Sequence, residues 1–224
     1  MNKLLSFVKL DYMTLKPYLT WKTALLFLAV LAFIGYGTGE VSALVGMCMM
    51  FSVIFACYPF AVGDRNGIDT LYATLPITKK TVVIGRYVFT LALNLFIGVA
   101  SLLVSAILMM ALKKDFNGAD ALIITLVCFA LFSVVEAVQL PIYFRFGYAK
   151  AKLLAYLPLA GFPAVVVAAS TLLGKKRLFP FLENVFSWVQ ANAYVTAALA
   201  VILWASIMIF SVVLSLRFYM KREF

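Results

Sequence analysis

Long apolar runs alternate with short charged stretches along the 224 residues. Six runs hold at most one charged residue each: Trp21–Tyr36, Val41–Val62, Tyr87–Leu112, Ala121–Phe144, Leu153–Leu173 and Ala193–Leu216. Each approaches the ~20 residues that a helix needs to cross ~30 Å of hydrocarbon. All are too long and too uniformly apolar for membrane strands of about ten alternating positions. The pattern predicts an all-α integral membrane fold of six transmembrane helices in a single domain spanning 1–224. The first run is slightly short and is expected to begin within the segment before it. Residues 1–20 interleave Leu4, Phe7, Val8, Met13 and Leu15 with Lys3, Lys9, Asp11 and Lys16. Such a segment predicts an N-terminal amphipathic interfacial helix, with Pro17 bending it into the first span.

The connections differ in kind. Gly35–Glu40 is a tight glycine-rich turn. The one long polar interruption is 63–87, GDRNGIDTLYATLPITKKTVVIGRY. Asp64-Arg65-Asn66-Gly67 is turn chemistry. Ile68–Leu75 predicts a short helix with Asp69 near its positive N-terminus, stopped by Pro76. Thr78 is placed to cap the next helix, which carries Lys79 and Lys80 and continues into the third span. Leu71, Tyr72 and Leu75 form a small apolar face on this loop. The segment 174–192 is too apolar for water and too short to span, which predicts an interfacial or re-entrant element broken at Pro180. Trp188 and Tyr194 suit the aromatic belt at the membrane surface.

Composition agrees with the pattern: 65% of residues are hydrophobic and 12% charged, a balance no soluble domain of this size keeps. The segment before the first span is long and charged, and Tyr36–Glu40 lacks a small-x-small cleavage site, so no cleaved signal peptide is expected. Six spans put both termini on one side. Of the 19 lysines and arginines, that side holds fourteen, including Arg65, Lys79, Lys80 and Arg86, and the other holds Lys113, Lys114, Lys175, Lys176 and Arg177. The positive-inside rule places both termini and the 63–87 loop in the cytosol. The net charge of +10 is then topology signal and attraction to anionic membrane lipid. Spread over four short segments, it does not predict a nucleic-acid partner.

Candidate chemistry is sparse. The chain has no histidine, which removes histidine metal sites, Ser-His-Asp triads and histidine proton relays. Cys48, Cys57 and Cys128 all lie in apolar runs and predict small core residues, not a disulfide or metal framework. No phosphate-binding G-x-x-x-x-G-K-[ST], H-E-x-x-H or G-x-S-x-G motif is present. No catalytic residues, metal site or cofactor are therefore expected in this chain. Glu136 is the one carboxylate deep inside a run. With Ser133 and Gln139 it forms a polar stripe at i, i+3, i+6, just before a Pro141 kink. That stripe has two readings: a substrate-facing pathway, or a structural hydrogen bond to another helix such as the one carrying Asn94. Asn94, Ser101, Ser105, Ser206 and Ser211 predict helix-packing contacts.

Three features together resemble the permease subunits of ABC-2 type ABC exporters. They are the six spans after an amphipathic segment; Asp64-Arg-Asn-Gly-Ile-Asp69 with Tyr72-Ala-Thr-Leu-Pro-Ile-Thr-Lys-Lys80 and Val83-Ile-Gly-Arg-Tyr87; and Leu140-Pro-Ile-Tyr-Phe-Arg-Phe-Gly147. At this length the chain is similar to small bacterial permeases that export phenol-soluble modulins, bacitracin-type and other antimicrobial peptides. The resemblance implies the ABC-2 exporter (type V) fold in the bacterial cytoplasmic membrane. It implies a second permease subunit, identical or related, and two cytosolic ATPase subunits that bind ATP and Mg. It makes the first loop the coupling element, with Asp64, Arg65, Asp69, Leu71, Tyr72, Leu75, Pro76, Lys79 and Lys80 at the ATPase. The amphipathic segment would brace that contact, and 174–192 would close the exit. Asn94, Ser133, Glu136 and Gln139 are the candidate substrate-pathway residues. Three other classes compete: an ion-coupled carrier centred on Glu136, a membrane-embedded enzyme, and a non-transporting immunity or sensor protein that keeps the fold.

Overall fold

The computed structural model describes residues 3–18, 20–66, 78–157, 161 and 191–221. The described residues are helical apart from short turns. The helices are α1 Lys3–Leu15, α2 Trp21–Thr38, α3 Val41–Ala56, α4 Tyr58–Asn66, α5 Lys79–Ala111 and α6 Gly118–Phe146. They are followed by α7, residues 148–157, and α8 Ala193–Met220. Five stretches are long and apolar enough to cross a membrane: Trp21–Thr38, Val41–Asp64, Lys79–Ala111, Gly118–Phe146 and Ala193–Met220. They correspond to five of the six predicted spans. The predicted Leu153–Leu173 span begins within α7 and otherwise lies outside the described residues, as does nearly all of 174–192.

Local chemistry sets the boundaries, and two of them correct the sequence expectations. The first span does not begin in the preceding segment. A 3-10 turn over Lys16–Tyr18 separates it from α1, and Thr20 caps α2 at Trp21 in a reciprocal box with Thr23. The span reaches 18 residues by running on to Thr38. Asp64–Asn66 is not a turn but the last turn of α4. The second span is broken at Cys57 instead. Pro59 has no N–H to give Phe55, so the ladder is interrupted there, and the Cys57 carbonyl takes over, accepting from Phe60 and Ala61 at 3.1 and 3.0 Å. Thr78 caps α5 as expected, and α6 continues through Pro141 to Phe146.

The helices α3, α5, α6 and α8 pack into a bundle through polar and small side chains, as apolar faces gain little by meeting each other when lipid is the alternative. Asn94, Ser101 and Ser105 are all buried. With Gly98, where a Cβ would touch Thr125 and Met49, they make a small, polar seam along α5. Outward positions are large and apolar: Phe33, Phe96 and Ile202 are 79%, 72% and 63% exposed. The same polar logic treats the weak point at Pro141. Its missing N–H frees the carbonyl of Ala137, and Ser211 of α8 donates to that carbonyl. The Tyr87 hydroxyl of α5 lies 2.5 Å from the Ser211 hydroxyl and 2.8 Å from that of Ser215, so three helices meet at one hydroxyl cluster.

The two ends of the bundle are distinct. At one end, Lys114 donates to the carbonyls of Gly35 and Tyr36 at 3.0 and 3.1 Å, with Gly39 taking the left-handed φ of 69° that closes the turn. At the other, basic end, α1, α4, the start of α5, the end of α6 and the end of α8 converge on one aromatic cluster that includes Phe7, Phe60, Tyr87, Tyr143, Phe144 and Tyr219.

Candidate functional site

The basic end is built on the contact between α1 and α5. Phe7, Asp11 and Leu15, one turn apart, are all buried. They face Val82, Gly85, Arg86 and Phe89, the buried i, i+3, i+4, i+7 set of α5. Gly85 is required by proximity: a Cβ there would lie 2.5 Å from the Phe7 ring. Asp11, grouped by sequence with the polar face of the N-terminal segment, is therefore fully buried. Its carboxylate pairs with Arg86 at 3.2 Å, and the Arg86 guanidinium lies 4.1 Å from the centroid of Phe60 in α4. The pair is a close charge contact without in-line hydrogen-bond geometry. Sequence missed it because a single Asp among lysines looks like one more solvated charge. The available signal was spacing, since Asp11 sits at i+4 from Phe7 and i−4 from Leu15.

Burial pushes the Asp11 carboxyl up to about 6 while Arg86 pulls the other way. With the folded value above the unfolded one, folding favours the protonated acid. The stabilisation that Asp11 contributes is therefore fully present below about pH 4 and is lost as pH rises through about 6. From pH 5 to pH 7 the expected loss is about 1 kcal/mol. No histidine titrates across that range. Thermal unfolding in nanodiscs should show this slope, and Asp11→Asn should reduce it; an unchanged slope in the variant contradicts the assignment.

The first loop leaves this cluster at Asp64 and returns at Thr78. Asp64 is exposed, and its Oδ2 accepts from the Ala149 amide at 2.8 Å. Arg65 lies in α4; Lys79 and Lys80 are exposed in the first turn of α5. Asp69, Leu71, Tyr72, Leu75 and Pro76 lie outside the described residues. A small cleft between the loop's two described ends is lined by Gly63, Asp64, Arg86, Tyr143, Gly147 and Tyr219, among others.

The second candidate group lies deeper. Glu136 is buried at 2% exposure between α3, α5 and α6. Asn94 donates through Nδ2 to its Oε2, and the Ser52 hydroxyl is 3.5 Å from Oε1. Ser133, on the same stripe, faces α8 and accepts from the Trp204 indole N–H at 2.7 Å. Gln139 is also buried at 2% exposure. The structure thus brings Glu136 and Asn94 together, as the structural reading of the stripe expects, and adds Ser52 and Trp204, which sequence did not single out. Among the described residues no cluster of acids and cysteines is placed to hold a metal ion, and the three cysteines are free.

A family model described as ABC-2 family transporter protein matches residues 6–220. The chain belongs to the ABC-2 transporter family. No curated protein and no solved structure matches it. An ABC-2 type permease of nearly the full chain length is a multi-pass membrane component of a transporter, and the bundle agrees with that. At the basic end the first loop is held by two contacts, Asp64 with Ala149 and Arg86 with Asp11.

Proposed function

We propose that this permease is the membrane half of an ATP-driven exporter. Two copies, or this chain and a related permease, pair in the bacterial cytoplasmic membrane with the termini and the basic end in the cytosol. Two separate ATPase subunits dock against the 63–87 loop and hydrolyse ATP with Mg. The substrate is amphipathic or hydrophobic, of the antimicrobial-peptide class, and leaves from the cell or the inner leaflet. ABC-2 permeases generally work with ABC ATPase partners, and family membership is the observation that carries the reading. The geometry supports it in a further way. Closure of two ATPases shifts a permease only through a part that they contact differently in its two states, and the loop here joins helices clamped to their neighbours at both ends.

Leu71→Asp tests this directly. A charge in the loop's apolar face should abolish co-purification of the ATPase and with it transport, while the permease still accumulates in the membrane. Undiminished binding and stimulation of the ATPase by the variant would sink the coupling assignment. The competing reading, a carrier driven through Glu136, finds less support. The carboxyl is enclosed by Asn94 and Ser52.

A further inference from the structure

We propose that Asp64 is a positioning residue that joins the first loop to α7, so that the end of α4 and the start of α7 move as one unit. The inference deepens the reading above and rests on it for its functional meaning, but the tie itself is a property of this chain alone.

Gly147 stands at the junction of two helices. It ends α6, its N–H reaching the Tyr143 carbonyl at 2.9 Å. It also starts α7, its carbonyl accepting from Ala151 at 3.2 Å. It performs both tasks at φ 75°, in the left-handed region where glycine is favoured. An N-terminal cap is ordinarily a Ser, Thr, Asp or Asn whose side chain takes one of the first free amides of the helix. The position that should cap α7 is therefore occupied by a residue with no side chain. The missing acceptor arrives from elsewhere in the chain: Asp64 Oδ2 takes the Ala149 amide at 2.8 Å, the same second helical position that a cap at 147 would serve.

Asp64 is also misplaced by the rules of its own helix. It stands in the last turn of α4, where the negative end of the helix dipole disfavours a carboxylate. At the positive N-terminus of α7 the same charge is favoured. The local conflict on α4 and the vacant cap on α7 resolve each other. The consequence is directional. Arg86 holds the returning end of the loop to α1, whereas Asp64 holds its departing end to α7. A pull on the loop would thus reach α7, and the predicted span that begins in it, through a direct contact.

Hydrogen–deuterium exchange on the purified permease in nanodiscs tests the tie without any partner. Asp64→Ala should speed exchange at amides 149–151 about fivefold, the effect of losing a cap of ordinary strength. Asp64→Asn, which keeps an acceptor, should restore most of the protection. Asp64→Lys, which puts a cation at a helix N-terminus, should be at least as fast as Ala. Unchanged exchange at 149–151 in Asp64→Ala overturns the tie, and so does failure of Asn to rescue. A second arm adds the co-purified ATPase and a non-hydrolysable ATP analogue. Exchange should then change at both 64–66 and 149–151 in the wild type, and at 64–66 alone in Asp64→Ala. A change at both places in the variant overturns the relay. Failure of the ATPase to bind the wild type contradicts the exporter reading instead, and the tie still stands or falls on the partner-free comparison.

Discussion

Arg86→Leu is expected to cost about 3 kcal/mol of stability, because it leaves the Asp11 carboxylate buried without its counter-charge. The loss should be local as well as global. Arg86 is the charge that holds Asp11 against α5 and also stacks on Phe60 of α4, so its removal detaches α1 from both helices. Limited trypsin digestion in nanodiscs should cut after Lys9 in the variant much faster than in the wild type. The midpoint of thermal unfolding should fall by several degrees. The double variant Asp11→Leu, Arg86→Met separates charge from packing. An apolar pair of similar volume avoids both desolvation costs, so it should recover most of the stability lost by Arg86→Leu alone. If the double variant is no more stable than the single one, the penalty does not come from an unpaired buried charge.

Glu136 provides the second large effect, and the contrast between two substitutions matters more than either alone. Glu136→Ala removes the acceptor that Asn94 donates to and the contact with Ser52. It also opens a cavity at a residue 2% exposed. A lost buried hydrogen bond and a cavity together should cost about 3 kcal/mol. Glu136→Gln keeps the shape, keeps a carbonyl oxygen for Asn94 and adds donors, so it should fold nearly as well as the wild type. On the structural reading of Glu136, transport should persist with it. A carrier that moves ions through Glu136 needs a titratable group there, and under that mechanism Glu136→Gln stops transport completely. Measuring thermal stability and transport in parallel for the two variants distinguishes the possibilities.

The chain's levels of structure differ in how legible they are in its sequence. The spans are readable because burying the backbone in lipid demands ~20 apolar residues in a row, and that leaves a strong signal. Among the described residues, five of the six predicted runs have a membrane-length helix to match. The cap at Thr78 and the packing role of Asn94, Ser101 and Ser105 are readable for the same reason, since one residue and its spacing carry the signal. Boundaries set by competition between neighbours are not. The helix over Asp64–Asn66 prevails over local turn chemistry, and the start of α2 is fixed by a Thr20–Thr23 box where an entry from the preceding segment was expected. The candidate site is the least legible. Asp11 and Arg86 are 75 positions apart in sequence, and Asp64 and Ala149 are 85 apart. No periodicity within one helix reports a partner on another. The apolar loop face at Leu71, Tyr72 and Leu75 was proposed from sequence and lies outside the described residues.

The central claim is that a separate ATPase drives this permease, and purification of the chain from its native membranes in mild detergent tests it most directly. Mass spectrometry of the eluate and an ATP hydrolysis assay are the two readouts. A driven permease should bring with it a protein that has a phosphate-binding loop, and the eluate should hydrolyse ATP measurably. Recovery of the chain with no ATPase and no hydrolysis would refute the claim.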